Sequence, residues 1–180
     1  GDDERTAELH TFLFEPSLTL GLKTSIYGVR YPAEVLDYLR RAGINFGGWL
    51  PNFAVPEVFS RFAVTVHIPR RIYTEVLHGV PTIRPFEALA CGIPLVCAGW
   101  EDAEHLFTPG KDFISVHSGE QMRRALYAIL SDKKLARGLS KHGRQTILDR
   151  HTCGHRVEQL LDIAREIGVS TSLSQKTACR

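Results

Sequence analysis

The fold of this chain is decided by residues 82–98, which read TIRPFEALACGIPLVCA. An apolar run at helical spacing covers residues 85–91 and stops at Gly92, and a short β-type run at residues 94–97 follows at once. Proline favours the first turn of a helix, and glycine favours the position just past its end. The stretch therefore predicts a short helix that leads directly into a buried strand.

The same alternation extends in both directions from this stretch. Pro32 and Pro56 open two earlier helix patterns. Short apolar runs rich in β-branched residues complete a set of five candidate strands, at residues 24–27, 46–50, 63–68, 94–97 and 112–116. Strands that alternate with helices indicate βαβ units and a mostly parallel sheet. The sequence thus predicts an α/β fold, a Rossmann-like doubly wound parallel sheet of about five strands with C-terminal helices.

Helix signals fill the last third of the chain. Ser118 with Gln121 predicts a capping box for one helix, Ser131 is predicted to begin the next, and Thr152 to cap the last. Pro16 is predicted to interrupt an N-terminal helical stretch just before it. We expect three parts: a helical N-terminal lead-in at residues 1–22, a Rossmann-like domain at 23–168 and a flexible tail at 169–180.

Composition and charge exclude several classes of protein. A formal net charge of +2, with 43% hydrophobic and 23% charged residues, is typical of a globular domain and gives no support to nucleic-acid binding. No apolar run approaches the roughly 18 residues of a membrane span. The acidic N-terminus lacks a signal peptide, and the four cysteines show no zinc-ligand spacing, so free thiols in a cytoplasmic protein are expected. Because the chain starts at Gly1 and its only methionine is Met122, it is expected to be an excised piece of a longer protein.

A ligand crevice is expected outside the carboxyl ends of the strands, where the strand order reverses. With the order 3-2-1-4-5, this crevice lies between the first and fourth strands. Three segments are then expected to converge on it: residues 28–31, the helix start near Pro85, and residues 99–101. The first of these loops has one glycine, Gly28, rather than the three of a dinucleotide fingerprint, and no Walker A pattern is present.

The helix start carries the chemistry of an anion site. Free backbone N–H groups and the helix dipole favour a phosphate there, and Arg84 stands just ahead of the predicted helix. Glu87, about one turn further on, can accept hydrogen bonds from the two hydroxyls of a ribose. A guanidinium, a helix N-terminus and a carboxylate together suit a nucleoside diphosphate. The alternative is that Arg84 is solvated and that Glu87 only interacts favourably with the dipole of its own helix.

Residues 84–96 resemble the R-x-F-E-A-x-A-x-G-x-P signature of group 1 glycosyltransferases, especially the CgeB-like branch. Asp112-Phe113 and the closing segment from His151 are similar to later parts of that family. The resemblance covers residues 23 to 167 and is most specific at 82–98. It implies one half of a GT-B fold, the C-terminal donor-binding domain, which works with an N-terminal GT-B domain missing from this chain.

The resemblance also implies roles for individual residues. Glu87 would hold the ribose of a nucleoside diphosphate sugar, and Arg84 with the helix start at Pro85 and Phe86 would hold the diphosphate. The loop from Gly28 to Arg30 would line the opposite wall. His67 falls where relatives carry a polar residue facing the crevice; the alternative is a hydrogen-bonded histidine at a strand end. The nucleotide sugar is a donor substrate, and no further cofactor is expected. His151 and His155 are a weak metal pair, and no metal site is predicted.

One departure from the family pattern concerns the sugar. Retaining group 1 enzymes usually carry two glutamates separated by seven residues, and counting back from Glu87 places Gly79 at the first position. The catalytic residues are therefore unassigned. Glu101 or Asp102 could contact sugar hydroxyls, although an acidic pair at a helix N-terminus is the simpler explanation.

The function expected from these features is glycosyl transfer from a nucleoside diphosphate sugar to an acceptor, with this part of the chain binding the donor. Two alternatives stay open at this point. One is a non-catalytic nucleotide-binding α/β module, and the other is half of a GT-B-like sugar-nucleotide epimerase.

Overall fold

The computed structural model describes residues 3–77 and 79–169 of the chain. Its strands are β1 Ser25–Ile26, β2 Asn45–Phe46, β3 Thr65–His67, β4 Leu95–Ala98 and β5 Ile114–Val116. Its α-helices are α1 Asp3–Leu9, α2 Glu15–Thr19, α3 Ala33–Arg41, α4 Val55–Phe59, α5 Ile83–Cys91, α6 Gly119–Ser131, α7 Lys133–Arg150 and α8 Cys153–Glu166. Two π-helical turns, His10–Phe14 and Ile72–Val76, and a 3₁₀ turn, Asn52–Ala54, lie between them. The predicted α/β fold with parallel strands is confirmed, and most of the predicted tail lies outside the described residues.

The strands form two parallel sheets instead of the one that the sequence predicted. β1 pairs with β2, and the second sheet has the order β3-β4-β5. The predicted order 3-2-1-4-5 is therefore wrong, because β4 lies between β3 and β5 and is not paired with β1. Local patterns locate strands, but the neighbours of a strand are set by long-range packing that those patterns do not encode. All four residues of β4 are buried, as expected for a strand covered on both faces.

The N-terminal helical segment packs into the core of the domain. Leu9 and Phe14 are buried in one cluster with Ile26 of β1 and with Ile68, which follows β3. The interruption predicted before Pro16 takes the form of a π-helical turn, and helical structure continues beyond it. Proline has no N–H for an intrahelical hydrogen bond, so a π-helical turn just before Pro16 sacrifices few of the helix's backbone hydrogen bonds.

Two helix starts differ from their predicted positions. α5 begins at Ile83, so Pro85 lies inside its first turn instead of opening it. α7 begins at Lys133 rather than at Ser131, because the carboxylate of Asp132 caps it by accepting hydrogen bonds of 2.8 and 3.1 Å from backbone N–H groups of its first turn. Serine and aspartate are both common N-caps, so the sequence left the choice between them open.

The other two predicted caps are present. The Ser118 hydroxyl accepts a 3.2 Å hydrogen bond from the Gln121 N–H. The return bond of the predicted box goes one residue further back, from the His117 N–H to the Gln121 side chain at 2.6 Å. Thr152 caps α8, and His155 completes a capping box there. Within the described part of the chain, no helix is both long enough and apolar enough to cross a membrane.

Candidate functional site

A cavity of about 910 Å³ lies between β1 and β3, and its lining includes residues at the carboxyl ends of both strands. Residues 27–29, 67–70 and 82–84 contribute to its wall there. Ligands of doubly wound folds bind in a crevice outside the carboxyl ends of the strands. The sequence predicted a crevice between the first and fourth strands, whereas this cavity lies between β1 and β3.

The structure brings together some of the predicted site residues in this cavity. Gly28, His67 and Arg84 all line it. The others lie outside its wall: Arg30, Pro85, Phe86 and Glu87. The wall thus combines the loop after β1, the end of β3 and the start of α5.

The start of α5 is an uncapped helix N-terminus. Thr82, its N-cap residue, has an extended backbone and accepts no side-chain capping hydrogen bond from the helix. The first N–H groups of a helix have no partners within the helix, and Pro85 carries no N–H at all. In this turn the N–H groups of Ile83 and Arg84 have no partner within the helix, and both residues line the cavity.

The hydroxyl of Thr82 forms a hydrogen bond with His67 instead of capping the helix. Thr82 Oγ1 lies 2.9 Å from His67 Nε2, and His67 Nδ1 lies 3.1 Å from Cys97 Sγ. The Cys97 thiol in turn donates to the Ala98 carbonyl oxygen at 3.2 Å. These partners assign the Nδ1–H tautomer, with Thr82 donating to Nε2. Both ring nitrogens of His67 are therefore satisfied within the protein, and the ring holds Thr82 away from its own helix. Sequence reasoning missed Thr82, although threonine just before a helix is a recognisable signal.

His67 is neutral at physiological pH. Burial, helped by the nearby Arg5 and Arg84, lowers its pKa from 6.5 to about 4. A neutral ring can accept from Thr82, whereas a protonated ring could only donate. The hydrogen-bonded arrangement at the start of α5 therefore depends on the uncharged form of His67.

This pKa shift predicts a pH dependence of stability. As pH falls through 6.5, a histidine in the unfolded chain takes up a proton while folded His67 resists it down to about pH 4. Neutral His67 therefore contributes fully to the free energy of unfolding above pH 6.5. As pH falls toward 4, this contribution is lost, by up to about 3 kcal/mol. His67→Gln should remove this component, so urea unfolding at pH 7.5, 6 and 5 should show a shallower pH dependence in the variant. Parallel pH profiles for the two proteins would contradict the assignment.

Arg84 and Glu87 form an ion pair along α5. Arg84 Nη1 lies 2.5 Å from Glu87 Oε2, with the arginine side chain 56% exposed and the glutamate side chain 19% exposed. A guanidinium has five N–H donors, so the pair leaves most of them available to another anion. The pair holds a cation and a carboxylate within one helical turn of the uncapped N-terminus.

Three of the predicted site residues do not line the cavity: Phe86, Pro85 and Arg30. The Phe86 ring packs edge-on against Phe107, with centroids 4.9 Å apart, and against His151 at 5.3 Å. Pro85 is buried. These contacts fix α5 against the junction of α7 and α8. Arg30 is exposed, with a left-handed backbone at φ 62°.

The segment at residues 99–101 does not line the cavity, contrary to the predicted convergence. Trp100 instead packs against the core cluster that contains Phe107. The Asp102 carboxylate accepts hydrogen bonds from the N–H groups of Leu106 and Phe107, at 3.0 and 2.8 Å. The carboxylate of Asp102 is therefore used to hold its own loop.

Gly79, the position counted for the absent glutamate, has no space for a side chain. Its backbone is left-handed at φ 78°, and a Cβ placed there would lie 2.4 Å from the Cβ of Ala103. Only glycine adopts such a conformation at little cost. The loop that contains Ala103 therefore occupies the space that a side chain at position 79 would need.

The two histidines considered as a metal pair have other partners. His151 Nε2 lies 2.9 Å from the Leu106 carbonyl oxygen, and His155 takes part in the capping box of α8. Among residues 3–77 and 79–169, no group of three or more His, Cys, Asp or Glu side chains is placed to hold a metal ion.

Comparison with known proteins adds to this geometry. Residues 5–162 match a family model described as glycosyl transferase-like. No curated protein matches the sequence. Similar solved structures include sucrose-phosphate synthase from Thermosynechococcus elongatus, with a TM-score of 0.73 and 18% identity over 92% of this chain and 43% of that one. HepE of Anabaena in complex with UDP has a TM-score of 0.70 and 13% identity over 86% of this chain and 44% of its own.

A further similar structure is the C-terminal domain of a group 1 glycosyl transferase, LpcC, from Francisella tularensis. It has a TM-score of 0.63 and 15% identity, over 85% of this chain and 83% of that domain. By contrast, the chain spans less than half the length of sucrose-phosphate synthase and HepE. These likenesses confirm the predicted fold, that of the C-terminal half of a GT-B glycosyltransferase. Because the family model covers most of its length, the chain belongs to the glycosyl transferase-like family.

Proposed function

We propose that this chain is the donor-binding domain of a glycosyltransferase, which moves a sugar from a nucleoside diphosphate sugar to an acceptor. The observation that carries the proposal is the uncapped N-terminus of α5, which lines the cavity together with Arg84. The helix dipole and free N–H groups favour an anion at this point, and a guanidinium adds bidentate contacts to a phosphate. The family assignment favours this function over the epimerase and the non-catalytic module.

The residues around this helix start have distinct roles in the proposal. Arg84 and the N–H group of Ile83 bind the diphosphate, and Glu87 accepts hydrogen bonds from the ribose hydroxyls. Gly28 and Arg30 belong to the loop on the opposite wall. His67 is a positioning residue, because it holds the Thr82 hydroxyl and so keeps the helix N–H groups available for the ligand.

The chemical contribution of this domain is electrostatic. As the bond between sugar and diphosphate breaks, negative charge grows on the leaving diphosphate. Donors that already point at this charge stabilise the transition state without reorganising. No cofactor beyond the donor is part of the proposal, and the base that activates the acceptor is assigned to another domain.

Uridine diphosphate is the first nucleotide to test. HepE was solved with UDP and with UDP-glucose, and TarM of S. aureus with UDP. The folds of these proteins match the chain over 86 to 91% of its length. We propose UDP on this ground and assign the chain to the CgeB-like branch on the signature at residues 84–96.

We also propose that an N-terminal GT-B domain of the same protein completes the enzyme and packs against α8. This helix has no buried residue, and three apolar side chains on it, together with Ile167 just after its end, are more than half exposed: Val157, Leu160 and Ile163. An exposed apolar stripe of this kind marks an interaction surface. The chain matches only 43 to 44% of sucrose-phosphate synthase and HepE, which leaves a domain-sized remainder in those proteins.

A cytoplasmic location is part of the same proposal. Cys91 and Cys153 are exposed free thiols, and Cys97 is a buried one. Exposed thiols persist unpaired in a reducing compartment.

Donor binding is tested by calorimetric titration of the chain with UDP, GDP, ADP and TDP. We expect weak binding of at least one nucleotide, and Arg84→Ala should weaken it at least tenfold, since a hydrogen bond to a charged group contributes about 1.5–3 kcal/mol. The matched control is Arg165→Ala, because Arg165 forms a similar exposed (i, i+3) ion pair with Asp162 on α8. Failure of every nucleotide to bind, or equal losses in both variants, would overturn the proposal.

Inorganic pyrophosphate separates the role of Glu87 from that of Arg84. Glu87→Ala should weaken binding of the nucleotide but not of pyrophosphate, because pyrophosphate has no ribose and the freed guanidinium still meets it. Arg84→Ala should weaken both. Equal loss of nucleotide and pyrophosphate in Glu87→Ala would assign Glu87 to orientation of Arg84 instead of to the ribose.

A further inference from the structure

The outward face of α7 is strongly basic. Five exposed side chains share it: Lys133, Lys134, Arg137, Lys141 and Arg144. With 3.6 residues per helical turn, they fall within an arc of about 100° and extend over about 17 Å along the helix axis. The opposite face of α7 is buried against the domain through Leu139, Gly143 and Ile147. The five side chains, called the basic face below, are therefore all open to an external partner.

The charge of α7 differs from that of the rest of the chain. α7 has six basic residues and one acidic residue, whereas the whole sequence has 22 basic and 20 acidic residues. The other 16 basic and 19 acidic residues make the rest of the chain net negative. The formal net charge of +2 hides this separation, which orients the molecule with α7 toward negative charge.

The basic face opposes the stability of its own helix. Lys133 and Lys134 lie in the first turn of α7, where the helix dipole disfavours cations, and no acidic residue lies in that turn. Lys133, Arg137 and Lys141 follow each other at intervals of four residues, so like charges are neighbours on the helix surface. Proteins retain such locally unfavourable choices mainly at functional surfaces.

The described part of the chain supplies no carboxylate to the basic face, because none of its five side chains forms an ion pair there. By contrast, three arginines elsewhere on the surface pair with a carboxylate three or four residues away: Arg40, Arg61 and Arg165. The acidic residues at the two ends of α7 have other partners. Asp132 caps the helix, and Asp149 accepts a 2.7 Å hydrogen bond from the Gln145 amide. An anion from outside is therefore needed to neutralise the basic face.

The basic face lies away from the candidate donor site. α7 runs antiparallel to α5, since Phe86 near the start of α5 meets His151 just after the end of α7. In the middle of α7, Ser140 donates a hydrogen bond to the carbonyl of Gly92, just after the end of α5. Residues 133–144 are therefore at the end of α5 opposite to Arg84, and their charge is not part of the proposed phosphate site.

A planar anionic surface fits the basic face better than an anionic polymer does. The outside of a helix is convex, so a polymer strand finds no groove there, whereas a plane meets several side chains of one row at once. The same arc also contains Leu148, which is 47% exposed. An apolar side chain gains free energy at the boundary between headgroups and acyl chains of a bilayer. Groups of four to eight Lys and Arg on one helix are typical of contacts with anionic lipids.

We propose that the basic face docks this protein on a lipid bilayer with anionic phosphate headgroups. The five cations lie against the headgroup phosphates, and Leu148 enters the boundary below them. The contact is peripheral, reversible and sensitive to salt. The inference concerns a surface and a partner other than the nucleotide, so it does not depend on the proposed function.

Co-sedimentation with vesicles tests the proposal. One set of vesicles is phosphatidylcholine alone, and the other is an equal mixture with phosphatidylglycerol. We expect binding to the mixed vesicles only, and its loss at high salt. The triple variant Lys133→Gln, Arg137→Gln, Lys141→Gln should bind about a hundredfold more weakly, because each cation near an anionic bilayer contributes roughly a fivefold gain in affinity.

A matched control removes the same number of charges outside the basic face: Arg40→Gln, Arg61→Gln, Arg165→Gln. Its net charge equals that of the first variant, and its affinity for the mixed vesicles should stay within about fivefold of the wild type. Thermal unfolding should show the basic-face variant to be no less stable than the wild type, because it removes like charges from neighbouring positions. Replacement of Lys133, Lys134 and Lys141 by arginine keeps the charge and should keep the binding.

Three results would overturn the proposal. Equal losses in the two triple variants would mean that only the net charge matters. Equal binding to vesicles of phosphatidylcholine alone would assign the contact to apolar surface instead of to the basic face. Binding of the wild type to duplex DNA but not to the mixed vesicles would identify the partner as a polymer. Titration of the basic-face variant with UDP should match the wild type, so failure of this proposal and failure of the donor proposal are distinguishable.

Discussion

Asp112→Ala should lower the free energy of unfolding by about 3 kcal/mol or more, the largest effect expected of a single substitution in this chain. Asp112 is fully buried, and its carboxylate accepts three hydrogen bonds: 2.6 Å from the Thr108 N–H, 2.6 Å from His142 Nδ1 and 2.7 Å from the Thr146 hydroxyl. Alanine would leave three partly buried donors without their acceptor and a gap between α7 and the loop before β5.

Urea unfolding measures this loss, and Asp112→Asn is its matched control. Asparagine keeps the shape and one acceptor oxygen, while the His142 ring and the Thr146 hydroxyl can each accept from its amide. We therefore expect Asp112→Asn to lose clearly less stability than Asp112→Ala. Equal stability of Asp112→Ala and the wild type would show that these bonds do not hold α7 to the domain.

Gly79→Glu should destabilise the chain rather than restore the carboxylate that retaining relatives carry. A left-handed backbone costs a non-glycine residue about 1–2 kcal/mol, and the added Cβ would overlap the Cβ of Ala103. The total expected loss is about 2–4 kcal/mol, because overpacking adds to the backbone strain. Thermal unfolding checks it, with an expected fall in Tm of several degrees.

A double-mutant cycle separates the two causes of this loss. Gly79→Ala carries the same backbone strain and the same contact with Ala103, and Ala103→Gly in that background removes the contact but not the strain. We expect partial recovery in the double variant. No recovery would assign the whole effect to the backbone, and a neutral Gly79→Ala would show that position 79 has room for a side chain after all.

The strands were predictable because their signals are local. The run at residues 94–97 lies between a glycine-terminated helix and a polar loop, and the structure has β4 at Leu95–Ala98. Sheet order was not predictable in the same way. It depends on which strand edges meet across the core, and within the described residues β1 and β3 are not hydrogen-bonded to each other, so the two sheets stay separate.

In the candidate site, too, the features set by neighbouring residues were predictable and those set by long-range contacts were not. Arg84 and Glu87 were predictable as a cation and a carboxylate beside a helix start, because their spacing along the chain fixes their relation. The bond between His67 and Thr82 was not, since these residues are 15 positions apart and meet only through burial at the end of β3. The missing carboxylate at Gly79 was visible in the sequence, whereas its physical reason, contact with Ala103, needed the fold.

The alternative reading of His67 as a hydrogen-bonded histidine at a strand end matches its two ring partners. The arrangement also has a consequence for the helix start. Because the Thr82 hydroxyl bonds to His67, it does not cap the first N–H groups of α5. In the proposed function, His67 acts without ligand contact, by positioning the helix start.

The central claim is that the N-terminus of α5, with Arg84, binds the diphosphate of a nucleotide. A crystal structure of the chain with UDP tests it most directly. We predict phosphate oxygens about 3 Å from the backbone N–H groups of Ile83 or Arg84 and from the Arg84 guanidinium, with the ribose hydroxyls at Glu87. UDP bound elsewhere, with the start of α5 empty, would contradict the claim.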